Sequence, residues 1–131
     1  MDFFWIILLV FVLVDIFLLV CVLYYRRRRR SFDRAFFSQQ WRRILLEKDL
    51  SKAVMEADKL LDIVLKRMGY RGTLGEKLRK GGKLFHHIDD VWFAHKLRNR
   101  IAHELDHRPS VGELKRALKI FEQAFSDLGL S

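Results

Sequence analysis

The sequence predicts an all-α protein: a single N-terminal transmembrane helix followed by a compact helical bundle of four main helices and one short one. Three observations carry this reading. Residues 3–25 are almost purely apolar, five consecutive arginines follow them, and after Ser31 the apolar residues recur at helical spacing with no strand alternation. The implied organisation is an anchor over 1–25, a basic juxtamembrane stop-transfer segment over 26–31, and a helical domain over 32–131.

The anchor comes first. As a helix, the run from Phe3 to Tyr25 reaches about 34 Å, enough to cross a hydrocarbon core of about 30 Å. A cleaved signal peptide would need a positive start, a shorter apolar core and small residues at its end. Here Asp2 precedes the run, and bulky residues and arginines follow it. Tyr24 and Tyr25 stand where interfacial aromatics belong. Arg26, Arg27, Arg28, Arg29 and Arg30 mark the cytoplasmic side and face the anionic lipid surface. The expected location is the inner or plasma membrane, with the N-terminus outside and the helical domain in the cytoplasm. Asp15 lies near the middle of the span, where a lone acid costs about 2.5–3.5 kcal/mol. It is either a contact to another membrane helix, such as a second copy of this chain, or a protonated acid tolerated by a very apolar helix. Cys21 is the single cysteine, so one chain can form neither a disulfide framework nor a cysteine metal cage. It reads as a packing residue, with acylation near the membrane edge as the alternative.

The formal charge is +9. Setting the arginine run aside still leaves a basic chain, which suits a polyanionic neighbour, either nucleic acid or the inner leaflet. Phe37, Trp41, Ile44 and Leu45 make the first stripe of the domain. Val54, Ala57, Leu61, Val64, Leu65 and Met68 make the second, with Gly69 placed to end it. Thr73 and Glu76 have capping-box spacing and open a short helix that stops at Gly81–Gly82. A fourth helix runs from Ile88 to about His107 and is closed by Pro109. Ser110 and Glu113 form another capping box, followed by a core face of Leu114, Ala117, Leu118, Phe121, Ala124, Phe125 and Leu128.

The fourth helix holds the candidate chemistry. One stripe reads Ile88, Trp92, His95, Asn99, Ala102, and the other Val91, Ala94, Arg98, Ile101, Leu105. His95, Asn99 and Arg98 therefore stand where apolar residues are expected, and buried polar groups need partners. Asp58 and Asp62 on the second helix are placed to supply them. Such a network either fixes helix register or lines a site at a groove or a subunit interface. Trp41, Trp92 and Phe93 read as core residues.

The run Arg98-Asn99-Arg100-Ile101-Ala102-His103 resembles the R-x4-6-H motif of the HEPN superfamily. The wider stretches VWFAHKLRNRIAHE and EADKLLDIVLKRMGYRGTLGEKL look like a group of bacterial proteins in which a membrane anchor precedes a HEPN-like helical domain. The likeness covers roughly residues 41 to 128. It implies a homodimer, RNA as the partner, and metal-independent RNA cleavage with His103 as acid/base, Arg98 as phosphate clamp and Asn99 as orienting group. Histidine suits both proton transfers that cleavage through the 2′-hydroxyl requires, and a guanidinium can take the phosphate charge. Arg98 lies about 140° around the helix from His103, which fits a site shared between two copies. No cofactor is implied. Many such domains are non-catalytic, so the second reading is a protein-interaction module that recruits a partner to the inner membrane face.

His103, Glu104 and His107 also spell HExxH, the pattern of a zinc hydrolase. Asp106 puts a charge on that stretch and Pro109 ends the helix directly after it, so the metal reading ranks last. His86-His87 and Asp89-Asp90 are adjacent pairs that point about 100° apart and chelate poorly. Asp89 or Asp90 reads instead as a first-turn helix charge.

The arginine run outweighs the N-terminal flank and so sets the topology. A reporter that is active only outside the membrane, fused after Ser131, is expected to stay silent. Activity from that fusion would reverse the orientation.

Overall fold

Local sequence sets the helix boundaries, and the computed structural model shows where each falls. It describes residues 2–130, with only the backbone described over 29–32. The order is α1 (Asp2–Leu45), α2 (Leu50–Arg67), α3 (Leu74–Lys80), a 3-10 turn (Gly82–Leu84), α4 (Ile88–His103) and α5 (Val111–Asp127). By its internal contacts the chain divides into two units, residues up to Phe36 and residues from Phe37 onward.

The first unit is the helical run of α1 from Asp2 to Phe36. Every large apolar side chain from Phe3 to Tyr25 is exposed, so this is no core helix of a soluble domain. Leaving that many bulky side chains in water would cost on the order of tens of kcal/mol. The segment is long and apolar enough to cross a membrane. Arginine is a good helix former and neither Gly nor Pro stands between Asp2 and Leu45, so the basic run does not interrupt the helix. The anchor and the first bundle helix, read from the sequence as separate elements, therefore belong to one helical assignment.

The second unit is the bundle. Asp49 caps α2 by accepting from the Ser51 and Lys52 N–H groups. Thr73 and Ser110 open α3 and α5 with both halves of a capping box in place. At the end of α2, Gly69 takes φ 102°. The chain there closes a Schellman pair, Gly69 N–H to Lys66 O and Tyr70 N–H to Leu65 O. Gly129, at φ 76°, ends α5 in the same way.

Helix α2 packs against α3, α4 and α5, and α4 packs against α5. Val54, Leu61, Leu65, Leu78, Leu97, Phe121 and Phe125 are the largest fully buried side chains. Phe37 and Trp41 close one end of this core on Phe125, with ring centroids 4.7 and 5.1 Å away. Three expected stripes shorten. Leu45 and Met68 are exposed, and Leu105 is fully so. The last follows from an earlier end to α4. Glu104 already has extended backbone, so the helix stops at His103 and 104–110 make the reversal into α5.

The loop before α4 is pinned to the end of α5. The His86 backbone N–H donates to Asp127 at 3.0 Å, and the His86 ring lies 2.6 Å from the same carboxylate. Burial opposes charge on Asp127, but the His86 N–H, the Gln123 amide and the His86 ring outweigh it and hold the carboxyl below its ordinary value. A depressed carboxyl contributes stability that is present above its unfolded value and lost as pH falls through the lower folded one. Asp127→Asn is therefore expected to lower the melting temperature near neutrality. The gap from wild type should close as pH falls below the usual aspartate value of about 3.9. A gap that persists unchanged in acid would contradict the pairing.

Candidate functional site: a buried carboxylate between two helices

Val54, Asp58 and Leu61 stand one turn apart along α2 and are all buried, so Asp58 is carried into the core with its neighbours. It is 4% exposed. A buried carboxylate without partners would be several kcal/mol uphill, so α4 has to answer it. Two residues do. His95 Nδ1 lies 2.8 Å from Asp58 Oδ1. Arg98 Nε lies 3.3 Å from Oδ2, an ion pair in which the N–H is poorly aimed and makes no hydrogen bond.

Asn99 closes the arrangement. Its Oδ1 accepts from Arg98 Nη1 at 3.1 Å, and its Nδ2 approaches His95 Nε2 at 3.4 Å. An ionised carboxylate can only accept, so Nδ1 of His95 carries the proton facing Asp58. Nε2 is then the acceptor that faces the Asn99 amide. The result is a ring of four side chains in which neutral His95 has one tautomer. Trp92 holds the edge of the imidazole, with centroids 6.0 Å apart.

Together, Asp58, His95, Arg98 and Asn99 line an open groove of about 460 Å³, completed by Lys59, Asp62 and the segment Gly72–Gly75. Asp62 does not join the network as expected. Its carboxylate is taken by Lys77 of α3, whose Nζ sits 2.7 Å away and whose side chain is 3% exposed. Lys77 lies between Glu76 and Leu78 on a helix too short to show which face is covered, which is why the pairing was not legible in the sequence. Lys59, which the sequence did not mark, lines the groove, and so does Thr73, which the sequence marked only as a helix cap.

His103 is the last residue of α4. It is exposed and does not line the groove. Arg98 turns inward to Asp58, so one chain does not bring Arg98 and His103 to a common point. The HExxH stretch loses its geometry as well. Glu104 is extended, Leu105 and Asp106 form a turn, and His107 lies in the connection, so the two histidines do not project from one helical face. Among the described residues no cluster of His, Cys, Asp or Glu is placed to hold a metal ion. In the first unit, Asp15 and Arg26 to Arg28 are exposed. The side chains of Arg29 and Arg30 lie outside those described.

No family model, curated protein or solved structure matches this chain. The site is therefore read from its own chemistry. What that chemistry offers is an anchored carboxylate, an imidazole of fixed tautomer, and a guanidinium with part of its surface toward solvent.

The two motif residues should separate on mutation. Arg98→Ala removes one of two partners from a buried carboxylate. Because His95 remains and the guanidinium is partly solvated, the cost should be about 1–3 kcal/mol. His103→Ala, at an exposed helix end, should stay within about 0.5 kcal/mol of wild type. Denaturant unfolding of the detergent-solubilised chain checks both, and equal losses would contradict the placement.

Proposed function

We propose that this chain is a membrane-anchored, HEPN-like module that holds RNA at the inner face of the membrane and cleaves it without metal when two copies come together. The apolar helix ahead of the arginine run is the anchor, and the net basic bundle meets the polyanion. The observation that carries the reading is the layout of α4. Arg98 and Asn99 border an open groove, and His103 stands exposed one turn beyond Asn99.

The chemistry follows from those groups. One His103 takes the proton of the RNA 2′-hydroxyl as the O2′–P bond forms. The His103 of a second copy gives a proton to the 5′-oxygen as the P–O5′ bond breaks, leaving a cyclic phosphate. A guanidinium steadies the charge that builds on the phosphate. Arg98 and His103 diverge within one chain, so the second copy completes the site.

A second reading has its own observation. Arg98 is already committed to Asp58 inside one chain. A guanidinium used for folding leaves a surface that recruits a protein partner to the membrane and cleaves nothing.

The full chain in detergent micelles, incubated with total RNA, decides between them. Cleavage is expected to persist in chelator and to be lost in His103→Ala with little change in melting temperature. If the wild-type chain leaves RNA intact, the recruitment reading stands. If cleavage needs added metal, the metal-independent reading fails.

A further inference from the structure

We infer that His95 is a proton-operated switch on Arg98, and that its charged form turns the groove between α2 and α4 into a binding site for a phosphate-type oxyanion. The side-chain amide of Asn99 is shared. Its oxygen accepts from Arg98 and its NH2 faces His95 Nε2. That orientation requires Nε2 to be bare. When His95 takes a second proton, Nε2–H points at an NH2 group, and two donors oppose each other.

The amide can relieve this by turning over. Its oxygen then serves His95, and its NH2 faces Arg98 Nη1, which loses its acceptor. The Nε donor of Arg98 is already buried without a hydrogen bond. Protonation therefore costs Arg98 Nη1 its acceptor beside an open groove, while Nε stays buried against Asp58. An oxyanion supplies what is missing, and a guanidinium matches its geometry.

The charges around His95 are few. From α2 come Asp58, Lys59 and Asp62, and from α4 itself Arg98. The segment Gly72–Gly75 brings none of its own, the Glu76 carboxylate behind it is bonded to the Thr73 N–H, and the nearby Lys77 of α3 is spent on Asp62. No charged residue of α5 lines the groove. Asp58 and Asp62 are each answered by a cation, so Lys59 and the charged His95 leave the groove positive. Histidine is the side chain whose ordinary charge change falls between about pH 5 and 8. The inference rests on the proposed function only for the source of the oxyanion. The switch itself stands on the hydrogen bonds that link Arg98, Asn99 and His95.

The test is NMR on the full chain in micelles, observing the His95 ring nitrogens, the Asn99 side-chain amide and the Arg98 Nε–H. The probes are sulfate, whose charge is constant over the range, and a short oligoribonucleotide. At high pH His95 is expected as the Nδ1–H tautomer, and the Asn99 and Arg98 signals should shift together as His95 titrates. Sulfate should bind about tenfold tighter at about pH 5.5 than at about pH 8, as one added charge nearby warrants. His95→Gln should abolish that gain at the Arg98 signal. Binding of both probes identifies RNA phosphate as the ligand, and sulfate alone a small oxyanion. Asn99 and Arg98 signals that ignore the titration of His95 in the wild-type chain would overturn the switch, as would equal sulfate affinity at both pH values. The wild-type NMR result holds even if His95→Gln fails to fold. Absence of RNA cleavage would sink only the ribonuclease reading.

Discussion

The bundle is organised around one carboxylate that is almost closed off from water. Asp58 sits on the face of α2 that α4 covers, and an apolar residue there would pack without further demands. A carboxylate demands donors, and the donors must come from α4 at one register. A slip of one residue along α4 toward its N-terminal side would put Ala94 and Leu97 where His95 and Arg98 stand and leave the charge unanswered. Apolar packing supplies most of the stability, because Leu61, Leu65, Leu97, Phe121 and Phe125 are fully covered. Apolar packing tolerates sliding, though, and a buried acid does not. A buried ion pair is weak evidence for added stability, and register control is its best-attested use.

The same requirement explains why α4 looks irregular. Its inward face is Val91, Ala94 and Leu97, and the polar set lies beside that face rather than within it. His95 and Arg98 reach Asp58 from the flank, which keeps them partly open to the groove. Groups that are anchored on one side and wet on the other can both hold a fold and meet a ligand. Lys77 and Asp62 repeat the principle with α3, but there the lysine is covered, which suits a purely structural pair.

Much of this was legible in the sequence because it is local. The Thr73–Glu76 and Ser110–Glu113 boxes and Gly69 are read from spacing alone, since a cap is made within one turn of the chain. The apolar run from Phe3 to Tyr25 is equally plain. What failed was the end of α4. Apolar periodicity carried on to Leu105, but periodicity cannot see that nothing lies opposite that residue, and Leu105 is fully exposed. Leu97 was missed for the converse reason: Lys96 and Arg98 flank it and hide a buried position. Asp58 and Asp62 are four residues apart and equivalent in pattern. Only tertiary packing assigns one to α4 and the other to α3.

The central claim is that Asp58 and His95 act as one unit across the α2–α4 seam. A double-mutant cycle of Asp58→Ala and His95→Ala, read by denaturant unfolding of the full chain, measures this directly. The account predicts that the two losses are not additive, with a coupling of about 1 kcal/mol or more. Losses that add to within about 0.3–0.5 kcal/mol would mean the two side chains do not share a structural role, and the register argument would fall.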